Sequence, residues 1–169
     1  MRPRAARRIH LIGAGGSGKT TLAREVGSLL DLPLHELDRG GRPADDLADD
    51  PCWVTEGIFL YRIGPVLEAA DLILWLDVPF RVCARRIVWR HIRLSVRRQN
   101  PHKGLRLLVR FLRDMHRYHS DPESRLPQRA DDWSALTREA TKEMLRPHMA
   151  KTVVLRSSRE TRAWLTRLR

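Results

Sequence analysis

Gly13-Ala14-Gly15-Gly16-Ser17-Gly18-Lys19-Thr20 is the stretch on which the reading of this chain turns. Its glycines let the backbone curl until successive N–H groups point inward at a single anion. Arg8 to Ile12, just before it, is a short apolar run that reads as a buried strand. Ser17 to Leu30, just after, reads as a helix with Leu22, Val26, Leu29 and Leu30 on one face. The positive end of that helix points at the same spot as the glycine N–H groups. In this GxxxxGK[ST] spacing Lys19 reaches the β- and γ-phosphates of a nucleoside triphosphate, and the Thr20 hydroxyl holds Mg²⁺. Gly13, Gly15, Gly16, Ser17, Gly18, Lys19, Thr20 and Thr21 are the expected nucleotide contacts.

Further along, helices and strands alternate. Leu32 to Leu37 is a second strand with Pro33 at its start, and Asp38 sits at its carboxyl end. Arg39 to Asp50, rich in Gly, Pro and Asp, is a loop with at most one short helical turn. Cys52 to Thr55 is a third strand ending at Glu56-Gly57, and Ile58 to Ala70 is mostly helical, interrupted near Gly64-Pro65. The unbroken apolar run to Leu76 is a fourth strand, of the kind covered on both faces. Pro79 opens a long helix to about Arg98, Asn100 to Gly104 is a turn, and a second helix runs from about Leu105 to Tyr118. A loop from His119 to Ala130 leads to a helix from Asp132 to about Arg146 that Pro147 closes. Thr152 to Leu155 is the fifth strand and a helix from Arg159 ends the chain. This alternation predicts one α/β domain over residues 1–169, a parallel sheet with helices on both faces.

Composition narrows the class. With 42% apolar residues the chain is globular. No apolar run approaches the ~20 residues needed to span a bilayer, and the glycine-rich loop interrupts any secretory apolar region, so a cytoplasmic protein is expected. Cys52 and Cys83 form no CxxC pair and read as reduced, mostly buried thiols. The formal net charge is +12, and nearly all of it lies between Arg81 and Tyr118, where twelve basic residues meet one acid, Asp114. Such a block attracts polyanions: nucleotide phosphates, nucleic acid or acidic lipid. Arg86, Arg90, Arg93 and Arg97 form one helical stripe; Arg106, Arg110, Arg113 and Arg117 form another. The second helix also has an apolar face of Leu105, Leu108, Leu112 and Met115. Two readings follow: a lid that closes on a triphosphate, or a surface that tracks a nucleic-acid backbone. No helix-turn-helix, zinc or RNA-binding signature supports the second. His116 and His119, with Asp121 nearby, read as surface histidines rather than a metal site. The five tryptophans, Trp53, Trp75, Trp89, Trp133 and Trp164, read mostly as core residues.

A triphosphate site of this kind needs a second acid beside Mg²⁺, and Asp38, Glu56 and Asp77 all stand at predicted strand ends. The guanine-reading [NT]KxD pattern is absent, no transporter signature is visible, and the chain is short for a mechanical ATPase. A small kinase is the leading class.

The phosphate loop, Leu34 to Asp38, Trp53 to Gly57 and Ala70 to Pro79 together resemble the adenylate-kinase-like group of P-loop kinases. Their pattern is most similar to the small bacterial proteins known as DNA topology modulation proteins, which Val153 to Glu160 also resembles. The resemblance implies a three-layer P-loop NTPase fold, a parallel five-stranded sheet in order 2-3-1-4-5, and a helical lid over approximately residues 91–120. It implies ATP and Mg²⁺ as cofactors and a small-molecule phosphoryl acceptor. Glu56 would bind Mg²⁺ through water with Thr20, and Asp38 would orient or deprotonate the acceptor hydroxyl. Arg86 and Arg90, matching the group's two lid-hinge arginines, would close on the nucleotide. With Lys19 these make the catalytic set. The chain departs from the group in carrying Glu56 where an aspartate is usual, in the shifted register of Arg62, and in a short Arg39 to Asp50 segment that disfavours an AMP acceptor. The alternative is a nucleotide-binding ATPase or switch associated with nucleic acid through the arginine-rich segment.

Overall fold

The structure is a computed structural model that describes residues 5–39, 43–61, 63–99, 104–129 and 132–168. Arg62, the turn at residues 100–103 and the side chain of Trp133 lie outside the described residues. Five strands form one sheet: β1 (Arg8–Gly13), β2 (Leu34–Glu36), β3 (Trp53–Glu56), β4 (Leu72–Leu76) and β5 (Thr152–Leu155). Their order is β2-β3-β1-β4-β5 and every pairing is parallel, as expected.

The pleat of β4 explains how one apolar run serves two layers. Leu72, Leu74 and Leu76 face one side, where they meet Leu22 and Val26 of α1 (Lys19–Leu30) and Trp164 of α7 (Ser158–Thr166). Ile73 and Trp75 face the other, against Val66 and Leu67 of α3 (Gly64–Ala69) and Leu145 of α6 (Arg138–Leu145). Burying each such side chain contributes about 1.5–3 kcal/mol, so both helix layers are held by the same strand. A third apolar cluster of Ala14, Ile58, Ile87, Met115 and Tyr118 sits at the phosphate loop. It joins that loop to α4 (Phe80–Val96) and α5 (Leu105–Ser120).

Several element boundaries differ from the sequence reading, each for a local reason. Residues 57–60 are not helical: Gly57 N–H reaches back to Leu11 O at 3.1 Å and Ile58 N–H donates to Asp38 Oδ1 at 3.1 Å. Those bonds hold the backbone around Asp38, and α3 begins only at Gly64. The Arg39 to Asp50 segment holds a short helix, α2 (Ala44–Ala48), next to α3. The helix expected from Asp132 begins at Arg138, where the Thr137 hydroxyl caps it by accepting from Ala140 N–H at 2.9 Å. The α-helix ends at Leu145, close to the expected end near Arg146, and passes into a 3₁₀ turn, Arg146–Lys151, with Pro147 early in it. Other boundaries agree: Pro79 precedes α4, which runs unbroken from Phe80 to Val96 as expected. Of the tryptophans, Trp53, Trp75 and Trp164 are buried, but Trp89 is exposed. Cys83 is buried and Cys52 half-buried; both are free thiols.

Candidate active site

The expected phosphate cradle is the loop between β1 and α1. Gly16 has φ 79°, and a Cβ there would stand 2.8 Å from Cys83 O, so only glycine lets α4 approach this closely. Lys19 folds back over the loop: its Nζ donates to Gly13 O at 2.8 Å and to Ala14 O at 3.2 Å. Burial pushes the Lys19 ammonium pKa down, while Glu56 and Asp38 nearby pull it back up. The Ser17 hydroxyl is buried and has no hydrogen-bond partner among the described residues. An orphaned polar atom in the glycine loop that holds Lys19 fits a phosphate ligand that would occupy it.

Beside the cradle the carboxyl ends of β2 and β3 bring together the expected acids. Thr20 Oγ1 donates to Glu56 Oε1 at 2.8 Å, and Glu56 is only 5% exposed. Asp38 stands close enough to Glu56 and Lys19 for all three charges to interact. Burial raises the Asp38 pKa, and the backbone N–H groups of Ile58 and Phe59 oppose that rise. A hydroxyl and carboxylates form an all-oxygen donor set, which suits a hard cation such as Mg²⁺. Asp77, the third acid considered, is committed elsewhere. Arg138 clamps it with two bonds, Nε to Oδ1 at 2.6 Å and Nη2 to Oδ2 at 2.7 Å, and Arg156 lies 3.6 Å away.

Of the arginines, Arg86 makes the best-defined contacts with the loop. Its Nη1 donates to Ser17 O at 2.6 Å and its Nη2 to Ser158 Oγ at 2.8 Å. These bonds cross a cleft of about 330 Å³ beside the cradle, lined also by Gly18, Thr21 and Leu165. Arg90 is exposed, yet near enough to Lys19 for its charge to lower the Lys19 pKa. The stripe on α5 behaves differently. Leu108, Leu112 and Met115 turn inward, so Arg106, Arg110 and Arg113 face solvent, and Arg117 pairs with Asp121 at 3.1 Å. None of these four faces the cradle, because the apolar face of α5 occupies that side. Met115 Sδ accepts from Gly15 N–H at 3.2 Å, and a Cβ on Gly15 would stand 2.7 Å from a Phe111 ring carbon.

The sequence reading had the apolar face of α5 but not its target. It also missed the Arg138–Asp77 clamp and the Arg86–Ser158 bond, which span 61 and 72 residues. His116 is exposed as expected, but His119 is half-buried: Nδ1 lies 2.7 Å from Met115 O and Nε2 3.0 Å from Val78 O. Among the described residues no group of three or more His, Cys, Asp or Glu side chains could hold a metal by itself. Mg²⁺ here would lean on Thr20, Glu56 and the phosphates of its nucleotide.

The sheet order, the glycine loop leading into α1 and the acids at the strand ends define a P-loop kinase fold. Two solved structures are similar over nearly the whole chain. A shikimate kinase from Acinetobacter baumannii, in complex with shikimate, matches with a TM-score of 0.52 at 14% identity over 98% of this chain and 92% of its own. A gluconokinase from Sinorhizobium meliloti matches with a TM-score of 0.52 at 18% identity over 96% of this chain and 93% of its own. At such identities the likeness is one of fold. No protein-family profile matches the chain, and no curated protein matches it in sequence.

Proposed function

We propose that this protein is an ATP- and Mg²⁺-dependent small-molecule kinase of the adenylate-kinase-like type. The observation that carries the proposal is the convergence of Lys19, Thr20, Glu56 and Asp38 at one end of the sheet, beside a buried and unpartnered Ser17 hydroxyl. When bound, ATP supplies the transferable phosphoryl group and Mg²⁺ neutralises part of its charge.

The chain's own groups would do the rest. The loop N–H groups and Lys19 hold the phosphate oxygens, and Lys19 exchanges its carbonyl partners Gly13 and Ala14 for them. Thr20 and Glu56 hold the metal. Asp38, fixed by Ile58 N–H, accepts a hydrogen bond from the acceptor hydroxyl and orients it for in-line attack. Its raised proton affinity suits it to take up the hydroxyl proton as transfer proceeds. Arg86 and Arg90 stabilise charge on the triphosphate side, and the segment over residues 91–120 serves as a lid that keeps water out. The cleft beside Arg86 and Thr21 is the place for the nucleoside.

The similar structures act on shikimate and gluconate, which supports an acceptor that is a small hydroxyl-bearing molecule. The motifs at the strand ends support a place near the DNA topology modulation-type proteins. A need for ATP supports the cytoplasm, and no described helix is long and apolar enough to cross a membrane. The test is ADP release from ATP·Mg²⁺ across a panel of sugars, sugar acids, nucleosides and nucleotides, with DNA and RNA included. One acceptor should raise ADP release at least about tenfold, and Lys19→Ala should abolish that increment with the fold intact. Transfer by Lys19→Ala at the parent rate would overturn the mechanism.

A further inference from the structure

α4 and α5 each carry an exposed side that combines two features a solvated surface does not need together. On α4, Cys83 and Ile87 are buried, while Trp89, Ile92 and Val96 on the opposite side are 61%, 55% and 79% exposed. Those three fall at i, i+3 and i+7, one continuous stripe. On α5, Leu105 is 71% and Val109 48% exposed, beside the solvent-facing Arg106, Arg110 and Arg113. Arg85 stands one turn before Trp89, and Arg93 stacks on its ring at 5.4 Å. The two helices pack on each other and share the inner cluster of Ile87 and Met115. Their outer faces therefore both look to solvent.

We propose that these two exposed sides together form a docking surface for an acidic lipid bilayer, on which the protein lies without crossing. Charge complementarity selects the partner's sign: Arg85, Arg93, Arg106, Arg110 and Arg113 stand beside these apolar side chains, with Asp114 as the one acid between Arg81 and Tyr118. The aliphatic side chains select its chemistry. A phosphodiester backbone would pair with the arginines but would leave Ile92, Val96 and Leu105 in water. A second copy of the chain would cover them but would press two strongly positive faces together. Anionic headgroups meet the arginines while tryptophan and aliphatic side chains enter the acyl boundary, as for helices that lie in a membrane interface. No described helix is long and apolar enough to span the bilayer, which fits surface attachment.

The full chain should sediment with phosphatidylcholine vesicles containing roughly one third phosphatidylglycerol, and not with pure phosphatidylcholine. Binding should fall at least about fivefold in the Ile92→Ser/Val96→Ser double variant and again in Arg106→Gln/Arg110→Gln. All four residues are exposed, so circular dichroism should match the parent. Quenching of fluorescence by brominated acyl chains gives an independent reading without these changes: it should be present in the parent and lost in Trp89→Phe. Equal binding to neutral vesicles, unchanged binding by the Ile92→Ser/Val96→Ser variant, or capture of duplex DNA or RNA without capture of vesicles would overturn the proposal. So would concentration-dependent dimerisation abolished by that same variant.

Discussion

Lowering the pH should destabilise this protein through one buried side chain, His10. Its ring lies in the middle of β1, fully buried; Nδ1 sits 2.9 Å from Thr55 Oγ1 and Nε2 has no partner among the described residues. Burial, with the nearby Lys19 charge adding to it, pushes its pKa from 6.5 down to about 3. The folded imidazole therefore stays neutral where the unfolded one is already protonated. The cost is absent above 6.5, grows as the pH falls through that value, and is complete below about 3. Between about pH 8 and about pH 5 the linkage removes roughly 2 kcal/mol of stability, which for a chain of this length lowers Tm by about 4–8 °C. Half-buried Asp38 works in the opposite direction, because its raised pKa makes the folded state the better proton acceptor as the pH falls. Urea unfolding of the parent and of His10→Gln at both pH values separates the two, since the variant keeps Asp38 and lacks the imidazole. The parent should lose roughly 2 kcal/mol more than the variant over that interval. If the difference between the two proteins is independent of pH, or if the His10 Cε1 proton titrates near 6.5 in NMR spectra, the argument from burial fails.

Three other outcomes follow from single contacts. Glu56→Gln keeps the size of the side chain but removes the charge facing Thr20, so the Mg²⁺ concentration for half-maximal ADP release should rise about tenfold or more, read from a metal titration at fixed ATP. Met115→Ala frees the Gly15 N–H from its thioether partner and opens the cradle; ATP should bind several-fold more tightly by calorimetry, while loss of a buried methionine lowers stability by about 2 kcal/mol or more. Unchanged ATP affinity would show that α5 does not compete with the nucleotide. Gly13→Ala would place a Cβ 2.5 Å from Leu76 O, and backbone cannot yield as a flexible side chain can. A loss of about 2 kcal/mol or more is expected by denaturant titration, and a stable, active variant would refute the close packing of β1 on β4 there.

What could be read from residue order was whatever depends on local spacing. Lys19 and Thr20 sit one and two places after the last loop glycine, so any chain with that order presents the same groups to the same point. The apolar run in β4 and the carboxylates just after β2 and β3 were equally legible, because strand direction alone puts Asp38 and Glu56 at one end of a parallel sheet. Element ends were less legible, since they answer to distant partners. Residues after Gly57 have helical composition, yet the Gly57 N–H is taken by Leu11 O and the Ile58 N–H by the Asp38 carboxylate. The helix expected from Asp132 likewise starts at Arg138, whose guanidinium is clamped to Asp77.

Sequence by itself determined the glycine loop before α1, the five strands of a parallel sheet and the two helical arginine stripes; the strand order was implied by the family resemblance, and the observed pairing agrees with it. Tertiary structure alone decided which acid is free, which stripe faces the cradle and what covers the loop. Asp77 and Glu56 are both carboxylates at strand ends; only the approach of Arg138 from 61 residues away separates them. Arg86 reaches the loop because Cys83 and Ile87 press α4 against Gly16, whereas the α5 arginines face water because Met115 and Phe111 take the inner side. Spacing tells which residues share a face of a helix. Which face turns inward is settled by the apolar area each can bury against the rest of the chain.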